Sequence, residues 1–591
     1  MISFLSNNST ACFLLRSARG IFCFSCLAVF FCGSFLSADE KQPEILFQDV
    51  TAASQLQFQH RSPLTLKRHL HLMMGSGVGW IDFDNDGFPD LYCAQGEEWQ
   101  TAKNTQRDVS DVALSNRLYQ NRGNSLFQDV TTSAGLIDFG YSMGIAVGDF
   151  NHDGFDDLYV SQFGRNLLYC NNGDGTFSNT SQSAQVDDPG YGASCTWADL
   201  NGDGLLDLYV VNYLEIDREQ YPICSRNVDG TRVYFVCHPR YVRGEYDVVY
   251  RNLGNGTFLD MSKKAGLHNE PARQGLGVFA ADFDHDGDMD IYVANDSVAN
   301  QLWVNDGQGV FTDQALIAGL AFNRSGDREA GMGLAGADYN GDGQIDLFVT
   351  NYYGETNTLY RNEGAGALFF LDVTDETGLA APSRVRLGFG ASFLDFNNDG
   401  WEDLFVTNGH VHDRLAQLGK NEPYEQEPQV FLNQGGARFL DDSASAGTFF
   451  QNKQVGRGCA VADFNRDGLA DLAVSHLNGK LVLLENRSLS AGPSISLKLI
   501  GTTSNRSAIG ARVELTTDSR KLTRYRRGSS SYLSADEGGI LAGLGKSQTP
   551  VSAKVTWPQG KTEIWSGLQP GGRYTLIEGT SASRELSQIQ P

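Results

Sequence analysis

Seven copies of one nine-residue pattern, D-x-[DN]-x-D-G-x-x-D, limit what this 591-residue chain can fold into. They begin at Asp82, Asp149, Asp199, Asp282, Asp338, Asp395 and Asp463, at intervals of 50 to 83 residues. The third position holds Asp84, Asn151, Asn201, Asp284, Asn340, Asn397 and Asn465. The fifth is always acidic (Asp86, Asp153, Asp203, Asp286, Asp342, Asp399, Asp467) and is always followed by Gly. The ninth is again Asp: Asp90, Asp157, Asp207, Asp290, Asp346, Asp403 and Asp471. Self-similarity at such a period marks a repeat architecture, in which each unit buries its apolar face against the next.

The spacing has a coordination logic. Side chains at positions 1, 3 and 5 point into a tight loop, Gly permits the bend, and position 7 offers a carbonyl. Position 9 then completes an all-oxygen shell suited to a hard cation, Ca2+ before Mg2+. An EF-hand begins in the same way but needs Glu at position 12 and a helix on either side. Here position 12 of the first loop is Cys93, and the flanks alternate as strands do. Seven equivalent copies argue against mere solvated turns, so up to seven calcium ions are expected, stiffening the scaffold.

Each loop follows a Gly-rich apolar strand ("GSGVGWIDF", "SMGIAVGDF") and precedes a second ("DLYCA", "DLYVSQ"). A third strand ("NRLYQN", "QLWVN") and, after a Gly-rich turn, a fourth ("SLFQDVT", "GVFTDQA") complete the unit. With 66 Gly, 35 Phe and 22 Tyr, the composition suits short strands and tight turns. The expectation is an all-β chain, a seven-bladed β-propeller over residues 45–487. The seventh unit lacks its fourth strand, and a spare one, "ILFQDVTAAS" at 45–54, precedes the first unit. Pairing them would close the ring and hide two strand edges. After a linker at 488–494, residues 495–579 hold about seven short strand patterns, which predict a small antiparallel β-sandwich or barrel, with a tail at 580–591.

These units resemble the FG-GAP (VCBS) repeats of integrin α-subunit propellers, and the resemblance implies calcium in the loops. The C-terminal region resembles the ASPIC/UnbV domain in Gly510-Ala511-Arg512-Val513, Ser529 to Ser534, Gly543-Leu544-Gly545 and Trp557-Pro558. Repeats followed by that domain are found in bacterial exported proteins. After Ser534 this chain reads "ADEGG", and no site is assigned there.

The N-terminus carries Arg16 and Arg19 before the apolar run "IFCFSCLAVFFCGSF". That run is shorter than the ~20 residues of a usual membrane span, so residues 1–38 read as an export signal cleaved near Ala38. The expected location is secreted, periplasmic or cell-surface, with no membrane span after cleavage. Cys224 and Cys237 share one polar insertion and are the disulfide candidate. Cys93, Cys170, Cys195 and Cys459 sit singly in apolar strands, as buried free thiols do. A formal charge of −25 argues against nucleic acid as a partner.

Counting strands places the Asp loops on one face of the ring and the long insertions, 94–115, 212–246 and 408–427, on the other. Long loops on a rigid scaffold are where binding resides, so the face opposite the Asp loops is the candidate ligand surface. Arg273, Arg328, Arg386 and Arg457 recur just before the first strand of their units. They could surround the channel mouth and favour acidic or sulfated glycans, or they could pair locally, as Arg328 could with Asp327 or Glu329. His410 and His412, like His69 and His71, form an H-x-H pair that puts both imidazoles on one side of an extended chain. The reading is an exported, monomeric, calcium-binding propeller that engages an extracellular protein or acidic polysaccharide. The alternative is an exported enzyme working on that same opposite face. No H-E-x-x-H motif occurs.

Overall fold

The innermost strands are rich in glycine because neighbouring blades leave them no room for side chains. A Cβ at Gly77 would fall against the Met143 carbonyl oxygen of the next blade. The same holds for Gly144 and Ala193, Gly277 and Met332, Gly333 and Phe389, and Gly390 and Arg457. This backbone-on-backbone approach is what lets seven sheets meet near one axis.

The computed structural model describes residues 45–96, 114–217, 220–364, 366–489 and 491–580, and the backbone of 584–585. Residues 1–38, expected to be an export signal, most of the 94–115 insertion and most of the C-terminal tail lie outside these residues. Among the described residues, seven four-stranded antiparallel sheets form the ring. Their innermost strands are Val78–Ile81, Ser142–Gly148, Gly192–Ala198, Gly275–Ala281, Leu334–Ala337, Gly388–Leu394 and Gly456–Ala462. Each packs on the next, and the last packs on the first. The strand Phe47–Asp49 completes the seventh sheet, with Phe47 opposite Asn486 and Asp49 opposite Leu484.

One asparagine per blade staples it to the blade before. Asn121, at the end of its third strand, donates to the Phe464 carbonyl at 2.9 Å. Asn171 reaches Phe83 at 2.8 Å, Asn252 reaches Phe150 at 2.9 Å and Asn305 reaches Leu200 at 2.8 Å. Asn362, Asn433 and Asn486 do the same with Phe283, Tyr339 and Phe396. The acceptor is always the second residue of an Asp loop, aromatic in six of the seven, and its side chain can also fill the gap between blades, as Phe464 does beside Trp80.

The C-terminal region has two four-stranded sheets around Leu497, Val513, Val555, Trp557 and Trp565. One pairing departs from the antiparallel expectation: Ser494–Ile500 runs parallel to Arg573–Ile577. The intervening chain builds the other sheet before returning, and such a crossover brings the last strand back in the same direction.

Candidate functional site

Two left-handed residues make each Asp loop. Position 4 (Asn85 at φ 55°, His152 at 62°, Arg466 at 64°) and the position-6 glycine (Gly87 at 87°, Gly154 at 96°) both carry positive φ. The second bend turns the glycine N–H onto the position-1 carboxylate, at 2.8 Å for Gly154 to Asp149 and 2.6 Å for Gly400 to Asp395. The acidic side chains then converge: the ligand oxygens of Asp82, Asp84 and Asp86 lie within 4.8 Å of one another, as do those of Asp282, Asp284 and Asp286.

Without a cation this is an unfavourable place for charge. Burial lifts Asp82, Asp149, Asp199, Asp282 and Asp463 to pKa about 6, Asp338 to about 7 and Asp395 to about 8. Asp338 Oδ1 and Asp463 Oδ1 are buried acceptors with no hydrogen-bond partner. A clustered, all-oxygen, under-partnered donor set fits a hard divalent cation of the Ca2+ type, with positions 1, 3 and 5 as the holding side chains.

Position 9 has a second task that spacing alone does not reveal. Asp157 accepts the Phe150 N–H of its own loop at 3.1 Å and the Asn171 N–H of the third strand at 2.8 Å, one on each oxygen. Asp90, Asp207, Asp290, Asp403 and Asp471 bind their equivalents in the same way. Asp346 Oδ1 accepts the Asn362 N–H at 2.8 Å. Each position-9 carboxylate therefore ties its loop to the stapling asparagine, leaving one lone pair per oxygen for a metal. The trace of this task in the sequence is the Asn that closes every third strand, "YQN" through "LEN".

The loop face is covered by the C-terminal domain. Arg573 meets Asp463 at 3.0 Å, Arg506 meets Asp149 at 3.4 Å and Lys498 meets Asp82 at 3.5 Å, so three position-1 aspartates face a basic residue. Arg520 donates to the Asp399 carbonyl, Tyr525 to Gly343 and Ser494 to Gly468. Arg524 pairs with Glu402 at 3.6 Å, both buried.

From this domain, residues 528–536 enter the channel as a plug. Ala535 bridges Gly79 in parallel, Leu533 N–H donates to Ser194, and the Val461 N–H donates to Asp536. Tyr532 and Leu533 are fully buried. From the other side the segment 64–74, with the 3-10 turn Leu70–Met73, fills the opposite mouth. The plugs meet where Tyr532 Oη donates to the Met74 carbonyl at 3.1 Å.

That meeting point corrects the expectation of a positive mouth. Arg457 is completely buried. It donates to the carbonyls of Met73 at 2.6 Å, Gly456 at 2.7 Å and Gly409 at 3.2 Å, and its guanidinium lies 3.9 Å from the Phe389 ring centre. It looked like a rim residue because it begins a strand, but segment 64–74 roofs it. Arg273 is held by Asp313 at 3.0 Å and Arg386 by Glu427 at 3.1 Å, the local pairing weighed above. Arg328 is exposed.

The insertions and segment 64–74 instead knit together over this face. Arg68 pairs with Asp413 at 2.6 Å, Arg414 donates to the carbonyls of Leu66 and Tyr234, and His71 Nδ1 lies 3.1 Å from Tyr221 Oη. His410 contacts Glu422 through Nε2 at 3.2 Å and accepts the His412 N–H on Nδ1 at 2.9 Å. Burial lowers His410 to about 3 and His412 to about 4, so both are neutral at physiological pH. Among the described residues, the two convergent groups of three or more His, Cys, Asp or Glu side chains are the Asp triads above, and neither includes a histidine. Cys224 and Cys237 are bonded, with Cα atoms 5.2 Å apart, at the base of a hairpin, Cys224–Val228 and Thr231–Phe235, on the 212–246 insertion.

The similarities of the chain follow this anatomy. Residues 501–583 match the model of the ASPIC and UnbV family. Cartilage acidic protein 1 of Xenopus tropicalis is 30% identical over 336 residues, covering 54% of this chain and 47% of that protein. The Homo sapiens protein of the same name is 28% identical over 348 residues, covering 55% and 50%. Integrin alpha-3 of Mus musculus is 31% identical over 124 residues, covering 19% and 11%. The chain thus spans about half the length of its cartilage acidic protein relatives. The FG-GAP-like repeat model matches at 82–160, 149–210, 229–293, 282–349, 338–406 and 395–474, more than half of the sequence, and the chain belongs to the FG-GAP-like repeat family.

Proposed function

We propose that this protein is an exported, calcium-stabilised propeller that binds an extracellular protein or polysaccharide through the face built by its insertions. One observation carries the choice of face. The Asp-loop side is occupied by the C-terminal domain, while segment 64–74 and the 212–246 insertion present large apolar side chains to solvent: Leu66 is 68% exposed, Tyr241 64% and Ile223 45%. Exposed apolar groups on ordered loops mark interaction surfaces. The contacts that knit the insertions hold these side chains in place before any partner arrives, which lowers the ordering cost of binding.

Export is supported by the Cys224–Cys237 disulfide, a bond of oxidising compartments, and by relatives whose name places them in cartilage. Calcium is supported by the convergent carboxylates and the orphaned oxygens of Asp338 and Asp463. When bound, it would supply the positive charge that lets those groups stay ionised.

The test is direct. Mature protein is screened in calcium against extracellular protein extracts and an array of acidic and neutral glycans, as the native chain and as Leu66→Ser/Tyr241→Ala. Binding that is lost in the double variant, with an unchanged melting temperature, is the expected result. Binding that survives it would move the partner surface elsewhere.

A further inference from the structure

Between the Asp loops of blades one and two and the C-terminal domain lies a cleft of about 1260 Å3. Pockets for small ligands run to roughly 1,000 Å3, so this one has room for a chain of several rings. Five acidic and five basic side chains line it, and among the described residues Asp86, Asp156 and Arg526 are the members that form no ion pair. Two of the basic groups are spoken for: Arg466 is paired with Glu537 and Arg573 with Asp463.

Arg526 is not. Among the described residues it forms no ion pair, and its Nη1 donates only to the neighbouring Arg527 carbonyl. The carboxylates on its own segment are taken, Asp536 by Arg527 at 3.3 Å and Glu537 by Arg466. Its Nη2 lies beside Gly538, where even a Cβ would come within 3.1 Å. The half-buried guanidinium lines the cleft wall, with Asp156, another lining residue, as the carboxylate that acts on it most though not as an ion-pair partner, and an arginine in such a place can take a planar anion.

Lys498 and Arg506 flank it. Each is about half exposed and reaches a position-1 aspartate only at 3.5 and 3.4 Å. A cation in loops one and two would claim Asp82 and Asp149, loosening both basic side chains toward the cleft, and would add positive charge to a lining that is otherwise balanced. The remaining surface is amphipathic in a particular way. Gly538, Gly539, Gly571 and Gly572 present bare peptide groups, and Phe88 and Pro570 present flat apolar faces. Sugar rings offer the complement, hydroxyls on the edge and an apolar face.

We propose that this interdomain cleft binds an anionic oligosaccharide bearing carboxylate groups, with one carboxylate on Arg526 and its neighbours near Lys498 and Arg506. The site is separate from the insertion face, on the other side of the ring.

The experiment is calorimetric titration of the calcium-loaded mature chain with galacturonic acid oligomers of four to six units. Neutral galactose oligomers and an oligoglutamate of equal charge serve as comparisons. Uronate oligomers should bind and neutral ones should not. Arg526→Met should weaken binding at least about tenfold, and Lys498→Gln, at the rim and harmless to folding, about two- to fivefold. Tyr241→Ala, on the opposite face, should leave uronate binding unchanged, which separates this site from the one proposed above. Failure of every uronate oligomer to bind a folded, calcium-loaded chain would overturn the proposal. So would undiminished binding in both Arg526→Met and Lys498→Gln, and oligoglutamate binding as tightly as the uronates would overturn its assignment to sugars.

Discussion

The two ends of the propeller channel are closed by opposite means. At the Asp-loop end closure is electrostatic and comes from a separate domain: basic residues of the C-terminal sheets meet a ring of repeated carboxylates, and the 528–536 plug follows them inward. At the other end closure is by packing and comes from the ring itself, through segment 64–74, with its buried Leu70, Leu72 and Met73, and the insertions, tied by Arg68–Asp413 and the Cys224–Cys237 bond. The first end is built from seven similar parts and should respond to ions. The second is built once, from unlike parts, and should not. That difference suggests a division of labour, with the repeated face holding the molecule together and the irregular face free to recognise a partner.

Calcium removal should separate the two ends most sharply. A ligand at one hundred times its Kd contributes about 2.7 kcal/mol per site, so even partial occupancy of seven loops adds up to many degrees of melting temperature. We expect chelation to lower the melting temperature by on the order of 10 °C. Amide exchange should quicken in the Asp loops and the C-terminal sheets while the insertion hairpin keeps its protection. An unchanged melt would refute the calcium reading, and uniform loss of protection would refute the division between the ends.

Arg457 tests the point where the ends meet. Replacing it with Met leaves the Met73, Gly409 and Gly456 carbonyls buried without their donor. The expected loss is about 3–5 kcal/mol in denaturant unfolding, equally large with and without calcium. A loss confined to the chelated protein would mean that the plug contacts depend on the loops after all. The stapling asparagines come next: Asn305→Ala should cost about 1–3 kcal/mol, because the Leu200 and Met289 carbonyls lose their donor.

What the sequence disclosed and what it hid follow the same division. Repetition exposed the ring, its seven loops and the spare strand, since a contact made seven times leaves a period. It also displayed the stapling asparagines in every unit, although their partner across the blade boundary became visible only in space. The docking of the C-terminal domain left no such trace. Arg524 meeting Glu402, or Tyr532 meeting Met74, joins segments more than 100 residues apart that occur once each. Arg457 misled for a related reason: its place before a strand is periodic, but the roof that buries it, residues 64–74, is not.

The smallest expected effect sharpens the comparison most finely. Asp463 is nearly buried, its Oδ1 has no hydrogen-bond partner, and its Oδ2 meets Arg573 at 3.0 Å. If a cation takes Oδ1, the carboxylate has two sources of positive charge, and either can hold it ionised. Arg573→Gln in the calcium-loaded protein should then cost about 1 kcal/mol or less, the value of a partly exposed ion pair. In the chelated protein the same substitution removes the counter-charge paired directly with the carboxylate, leaving only the weaker pull of Arg466, and should cost measurably more. Thermal melts of both proteins in both conditions form a thermodynamic cycle whose coupling term is the quantity of interest. A positive coupling would make the C-terminal domain and the loop ion partners in stabilising one carboxylate. A coupling of zero would show that they act on Asp463 independently, and that the domain docks on the loop face for reasons other than the ion.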